Sequence, residues 1–274
     1  MTQAGADRAA RSSGDRMLAV LDLFTVELPE WTVEAAAAAL RVSAPTAYRY
    51  FKQLTRAGLL SPVTGASYAL GPAIIEMDRR IQICDPMLNA ARGVMVDLIQ
   101  YAVESTTVLL CRLYHDRVMC VHQVVGRGPQ LPVSYERGRL MPLFRGATSK
   151  IILANLPSRT VKSLFDRHAA EIAEAGLGAT LPAFRSHLAA VRRAGVMVSR
   201  SEIDSGRVGI AAPIFGAERA ILGSLSFVLP EPRADERLIA RLTPLTVAGA
   251  REIEQAMTGI SSIKSSPARI KLAR

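Results

Sequence analysis

Three cations stand at helical spacing in a part of the chain that has no acid to pair with them. Arg49, Lys52 and Arg56 fall between Glu34 and Glu76, and no Asp or Glu occurs between those two. A guanidinium can take both acceptors of a guanine edge, and a lysine ammonium favours phosphate. Read as a helix, the segment places Pro45, Tyr48, Arg49, Lys52 and Arg56 on one face and Ala47, Tyr50, Phe51 and Leu54 on another. One face packs and the other is polar and basic. A solvated surface would use the same residues, but the lack of an acid three or four positions away favours an external polyanion. Tyr48 is open between packing and a phosphate contact, and Thr46 and Gln53 are open between base contact and ordinary exposure.

Other reactive side chains are sparse. Cys111, Cys120 and His122 could approach one another on a sheet, yet no fourth ligand is evident, and packing is the simpler use of them; no metal site and no cofactor are expected. The third cysteine, Cys84, leaves an odd number with no CxxC pair, which suggests neither a disulfide framework nor a thiolate zinc site. His115, His122, His168 and His187 form no recognisable acid–base set, and the chain has no GxSxG, HExxH or GxGxxG motif. Gly146–Lys150 (GATSK) ends like a phosphate loop but lacks its first glycine. An enzyme is therefore the weaker reading. Arg145 could pair with a ligand carboxylate at a pocket rim, with Ser226 adding hydroxyl contacts, or could form a structural salt bridge. Arg207 carries the same two readings.

The elements that must position these groups follow from periodicity. Met17, Val20, Leu21 and Phe24 share a helical face; Thr32 can cap VEAAAAAL; Ser43 can cap a third helix that opens Ala44-Pro45 and stops at Gly58. Leu59–Ser61, a turn and Tyr68–Leu70 read as a small hairpin. Helix, alanine-rich helix, tight turn, basic helix and hairpin make a winged helix-turn-helix, in which the third helix enters the major groove. A linker helix precedes Asp85-Pro86, and a long helix follows. TTVLLCRLY and RVMCVHQVV then form a hairpin about His115-Asp116. Helical stretches are expected at 149–156, 160–175 and 182–194, strands in GIAAPIF and ILGSLSFV, and a last helix over 235–257. The pattern indicates an α+β fold with a mainly antiparallel sheet.

The expected organisation is a disordered tail over 1–14, a winged helix-turn-helix over 15–71, a linker helix over 72–85, a second domain over 86–257 and a basic disordered tail over 258–274. With 274 residues, 49% hydrophobic and 21% charged, two packed domains are affordable. No apolar run reaches the roughly 20 residues of a membrane span, and the start lacks a secretory signal, so a cytoplasmic protein is expected. The formal charge of +10 suits a polyanionic partner.

LRVSAPTAYRYFKQLTRAGLL, MPLFRGATSKIILANLP and VRRAGVMVSRSEIDSGRVGIAAPIF with ILGSLSF, in that order, resemble the IclR family of bacterial transcriptional regulators. The resemblance implies a GAF-like effector-binding domain and a homodimer or homotetramer. It also implies control of operator DNA by a small organic molecule, frequently a carboxylate or aromatic catabolite, with repression the default over activation. Carried over by position, the DNA-reading residues are Ala44, Pro45, Thr46, Tyr48, Arg49, Lys52 and Gln53, with Arg56 added from its charge. The effector pocket falls on Arg145, Gly146, Ala147, Thr148 and Ser149, on Ser199, Arg207 and Gly209, and on Ser224 and Ser226. Phe144-Arg145-Gly146, Ser199, Gly209 and Val228 depart from residues common in relatives, which leaves the effector's identity open. The competing reading is a nucleic-acid-binding protein without sequence preference.

Overall fold

The computed structural model describes residues 12–129 and 134–264, with 259–264 as helical backbone only. The expected disordered tails lie partly outside the described residues, at 1–11 and 265–274. The chain divides into two compact units, Met1–Asp85 and Pro86–Arg274.

The first unit begins with α1 (Ser13–Leu18), followed by a 3-10 turn at Leu21–Leu23. The continuous helix expected across Met17–Phe24 is therefore broken. Its start is set by a capping box: the Ser12 hydroxyl accepts from the Asp15 amide at 3.2 Å and the Asp15 carboxylate accepts from the Ser12 amide at 2.8 Å. Helix thus begins within the stretch expected as tail. The apolar spacing still does its work, because Val20 is fully buried in this unit's core.

β1 (Trp31–Thr32) leads into α2 (Val33–Leu40), whose first turn is capped by Thr32 Oγ1 accepting from Ala35 N at 3.2 Å. Arg41 in the left-handed region ends α2, and α3 (Ala44–Arg56) starts after a three-residue turn. Ser43 does not cap α3 as expected. Pro45 removes one of the two amides an N-cap would serve, and the Ser43 hydroxyl pairs with Thr46 Oγ1 at 2.8 Å. The stop is as expected: Gly58 has φ +72°, and Leu59 N returns to Leu54 O at 2.9 Å.

β2 (Leu60–Pro62) and β3 (Ser67–Leu70) form the antiparallel wing, with Leu60 opposite Leu70, and β1 adds to the far side of β3. Ala47, Tyr50, Phe51 and Leu54 fill the core against α2 and the wing, with Phe51 edge-on to Tyr68 at 5.0 Å. α4 (Pro72–Cys84) follows with no buried residue, leaving Ile75, Met77, Ile81 and Ile83 exposed.

In the second unit, α5 (Pro86–Ile99) precedes the hairpin of β4 (Thr107–Tyr114) and β5 (Arg117–Val125), then β6 (Leu140–Pro142). Three helices follow: α6 (Ala147–Ala154), α7 (Ser158–Glu174) and α8 (Leu181–Ala194). β7 (Met197–Arg200), β8 (Arg207–Phe215) and β9 (Ile221–Pro230) complete the sheet, and α9 (Glu236–Lys264) closes the unit. α9 extends seven residues past the expected boundary at 257. Strand order is β6-β5-β4-β9-β8-β7, with every pairing antiparallel.

Alternation along β9 shows how the layers form. Leu225, Phe227 and Leu229 enter a core with residues of α5 and α9, while Ser224, Ser226 and Val228 take the opposite face, where α6 and residues of α7 and α8 pack. That second face carries the polar cluster described below. No helix among the described residues is long and apolar enough to cross a membrane.

Candidate functional site

On α3 the buried face fixes the orientation of the exposed one. Ala44, Pro45, Tyr48, Arg49, Lys52, Gln53 and Arg56 are exposed, and Thr46 is half-buried beside Ser43. Tyr48 is 60% exposed, so packing does not account for it. Arg49 lies over the Tyr50 ring, 5.8 Å from its centroid, which holds its stem against the helix. None of Arg49, Lys52 and Arg56 meets a carboxylate among the described residues. Near the far end of α3, Gly71 lies so close to Gly58 that an added Cβ would come 2.2 Å from the Gly58 carbonyl oxygen. This close approach ties the end of the wing to the end of α3.

In the second unit the structure gathers most of the remaining sequence-predicted residues. Thr148 Oγ1 donates to Ser226 Oγ at 2.9 Å, and Ser224 Oγ donates to the Thr148 carbonyl at 3.1 Å. Ser199 Oγ accepts from the Ala147 amide at 2.8 Å, and Gly209 faces both Ala147 and Ser199. Thr148, Ser149, Ser199, Ser224 and Ser226 are all buried. Arg145 and Arg207 are engaged elsewhere. Arg145, 43% exposed, pairs with Glu174 at 2.8 Å, and Arg207 donates to the Ser105 carbonyl at 3.2 Å. The salt-bridge alternative for Arg145 is the one the structure contains.

The buried cation on the same helix as Thr148 is Lys150. Its side chain is 8% exposed and pairs at 2.6 Å with Glu202, itself 28% exposed; the same carboxylate oxygen accepts the Gly146 amide at 2.8 Å. Glu202 thus caps the positive end of α6 and neutralises a buried ammonium at once. Gly146 is required there: φ is +79°, and a Cβ would come 2.9 Å from Ile203 Cγ1 and 3.2 Å from the Tyr135 hydroxyl. Burial, with the Asp204 carboxylate among the nearby negative charges, pushes the Tyr135 phenol above its usual range. Burial and then Lys150 hold His187 below its usual value, against an opposing pull from Glu202. Lys150, Glu202, Tyr135 and His187 were missed in the sequence. The available signal was a lysine inside an otherwise apolar helix, SKIILA.

Cys111 and Cys120 are buried register partners on β4 and β5, and Cys120 Sγ lies 3.3 Å from the His122 carbonyl. Burial raises the Cys111 thiol well above its ordinary range, which suits a packed residue.

Two family models match this arrangement, an IclR helix-turn-helix domain over residues 13–63 and the bacterial transcriptional regulator IclR C-terminal domain over 85–255. The chain belongs to the IclR family. Among IclR relatives, the HTH-type transcriptional regulator KipR of Bacillus subtilis is 24% identical over 88% of this chain and 94% of its own length. XynR of Escherichia coli is 22% identical over 83% and 90%. A putative IclR regulator from Silicibacter superposes with a TM-score of 0.75 at 22% identity, covering 90% of this chain and 96% of that one. An IclR homologue from Microbacterium hydrocarbonoxydans, complexed with 4-hydroxybenzoate, gives 0.72 at 21%, covering 90% and 100%. The protein is thus an IclR-type transcriptional regulator with a DNA-binding helix-turn-helix and an effector-binding domain.

Proposed function

We propose that this regulator acts in the cytoplasm as a homodimer or homotetramer, reads a two-fold operator with α3, and releases it on binding a small organic acid, making it a repressor. The observation that carries this reading is the basic face of α3, whose three cations lack carboxylate partners among the described residues. Ala44, Pro45, Thr46, Tyr48 and Gln53 flank those cations at the end and on the face that a winged helix presents to bases and backbone. Self-association is supported by α4, whose exposed Ile75, Met77, Ile81 and Ile83 suit a second copy of the helix.

For the effector, the support is the carboxylate the site already holds. Glu202 sits on the Gly146 amide and Lys150, so the electrostatics there favour an acid; Thr148, on the same helix, and the Ser224 and Ser226 bonded to it are hydroxyls that a ligand would have to reach by breaking their present bonds. Lys150, rather than the Glu174-paired Arg145, is the anchor for the carboxylate. The 4-hydroxybenzoate bound to the Microbacterium relative is an acid of this class. An effector that displaces Glu202 binds one state better than the other, which is the condition for shifting operator affinity.

Selection of genomic fragments by the purified protein at physiological salt tests the reading. Enrichment of one roughly palindromic site, weakened by an aromatic acid in wild type but not in Ser226→Ala or Lys150→Met, supports it. Uniform retention of all fragments with a steep salt dependence contradicts it and returns the sequence-independent alternative.

A further inference from the structure

The turn between β8 and β9, the C-terminal ends of α6 and α8, and α9 line an open cleft of about 580 Å³ that shares no residue with the Thr148–Ser226 cluster. Four guanidiniums reach it from three elements: Arg192 and Arg193 from the last turn of α8, Arg219 from the β8–β9 turn and Arg251 from α9. None of the four pairs with a carboxylate among the described residues. The one acid in the lining, Glu254, accepts the Phe215 amide at 2.8 Å.

Two of these arginines are held in place. Arg192 donates through Nε to the Ala154 carbonyl at 2.8 Å, and Arg219 stacks 4.3 Å from the Phe215 ring centroid. The ends of α6 and α8 carry about half a negative charge each. Set against them and Glu254, the four arginines and the half-positive start of α7 at Ser158 leave an excess of roughly two to three positive charges. Leu156, Pro213 and Val247 supply apolar wall beside the charges.

We propose that this cleft is a second ligand site, and that it binds the phosphate monoester of a small metabolite. A monoester carries about −1.5 to −2 at neutral pH, which the excess offsets, and guanidinium forks bind its oxygens in pairs. The volume is that of a small-molecule site, and the apolar wall takes the organic part. A regulator with both sites reads two metabolites: an acid beside Lys150 and a phosphorylated compound at the arginines.

Titration of the full chain with phenyl phosphate at constant ionic strength, followed by calorimetry, tests the site, with phenyl sulfate and benzoate as monoanionic controls. Saturable binding of phenyl phosphate is expected, tighter than either control, with Kd raised about tenfold in Arg219→Ala and in Arg251→Ala. Both arginines are exposed, so the variants should keep the wild-type melting temperature. Loss of binding in Thr148→Val instead would place phenyl phosphate at the Thr148–Ser226 cluster and overturn the proposal. So would the absence of saturable binding, or binding indifferent to both arginine variants. Should the variants change only operator affinity or sedimentation, the cleft serves DNA or a second copy, and the proposal also fails.

Discussion

Removing the Glu202 carboxylate strands a buried ammonium, and the size of the effect follows from the exposures. Lys150 is 8% exposed and Glu202 28%, so the pair is neither a surface bridge worth under about 1 kcal/mol nor a fully dry one. Breaking a buried pair by deleting one partner costs about 3–5 kcal/mol. Water admitted through the Glu202 side places Glu202→Ala near the lower end, about 3 kcal/mol. For a unit of this size that is a fall of roughly 6–12 °C in Tm. Lys150→Met removes the stranded charge, so Glu202→Ala with Lys150→Met should recover about 2 kcal/mol, read by calorimetry as a double-mutant cycle. Benzoate should raise the Tm of Glu202→Ala, by taking the vacated place on Lys150 and the Gly146 amide, and should not raise that of the double variant. A single-variant loss under about 1 kcal/mol, or equal benzoate rescue in both proteins, would refute the reasoning.

Two further outcomes follow from burial. Phe51 is fully buried and edge-on to Tyr68, so Phe51→Ala should cost about 3–5 kcal/mol in the first unit; operator binding should be lost while the second unit keeps its own transition by calorimetry. Burial, with help from Arg92 and Arg137, lowers the folded pKa of His122, and burial then Lys150 lower that of His187. The unfolded chain therefore takes up these protons first, so stability is full above pH ~6.5 and falls as the pH drops below it. Urea midpoints at pH 7.5 and pH 5.5 measure this, and equal midpoints would count against neutral, buried imidazoles.

Much of α3 was legible because local signals agree there. Pro45 near its start, Gly58 past its end and the 47-50-51-54 stripe all point to the same helix, and those four residues are the ones buried. The first helix was misjudged, since Met17, Val20, Leu21 and Phe24 satisfy a helical period whether or not the backbone breaks between them, and here it breaks after Leu18. The capping box of Ser12 and Asp15 was the overlooked boundary signal. Short strands left little trace: β6 has three residues and β7 four, and both sit at sheet edges.

In the second unit, family position brought Thr148, Ser199, Ser224 and Ser226 forward, and the sheet face on which they meet follows from strand alternation. Which cation is buried on the same helix as Thr148 was not readable. Lys150 and Glu202 are 52 positions apart, and their pairing depends on how α6 packs against the sheet beside β7. Arg145 looks as suitable in sequence, but its guanidinium meets Glu174.

Whether α3 reads sequence through its basic face is decided by titrating the enriched operator and random duplex with wild type, Arg49→Ala and Lys52→Ala across a salt series. Arg49→Ala should lose about 1–3 kcal/mol on the operator and little on random DNA, while Lys52→Ala should weaken both alike and lower the salt slope by about one. An Arg49→Ala protein that binds the operator as tightly as wild type, or loses equally on both duplexes, would contradict sequence reading by α3.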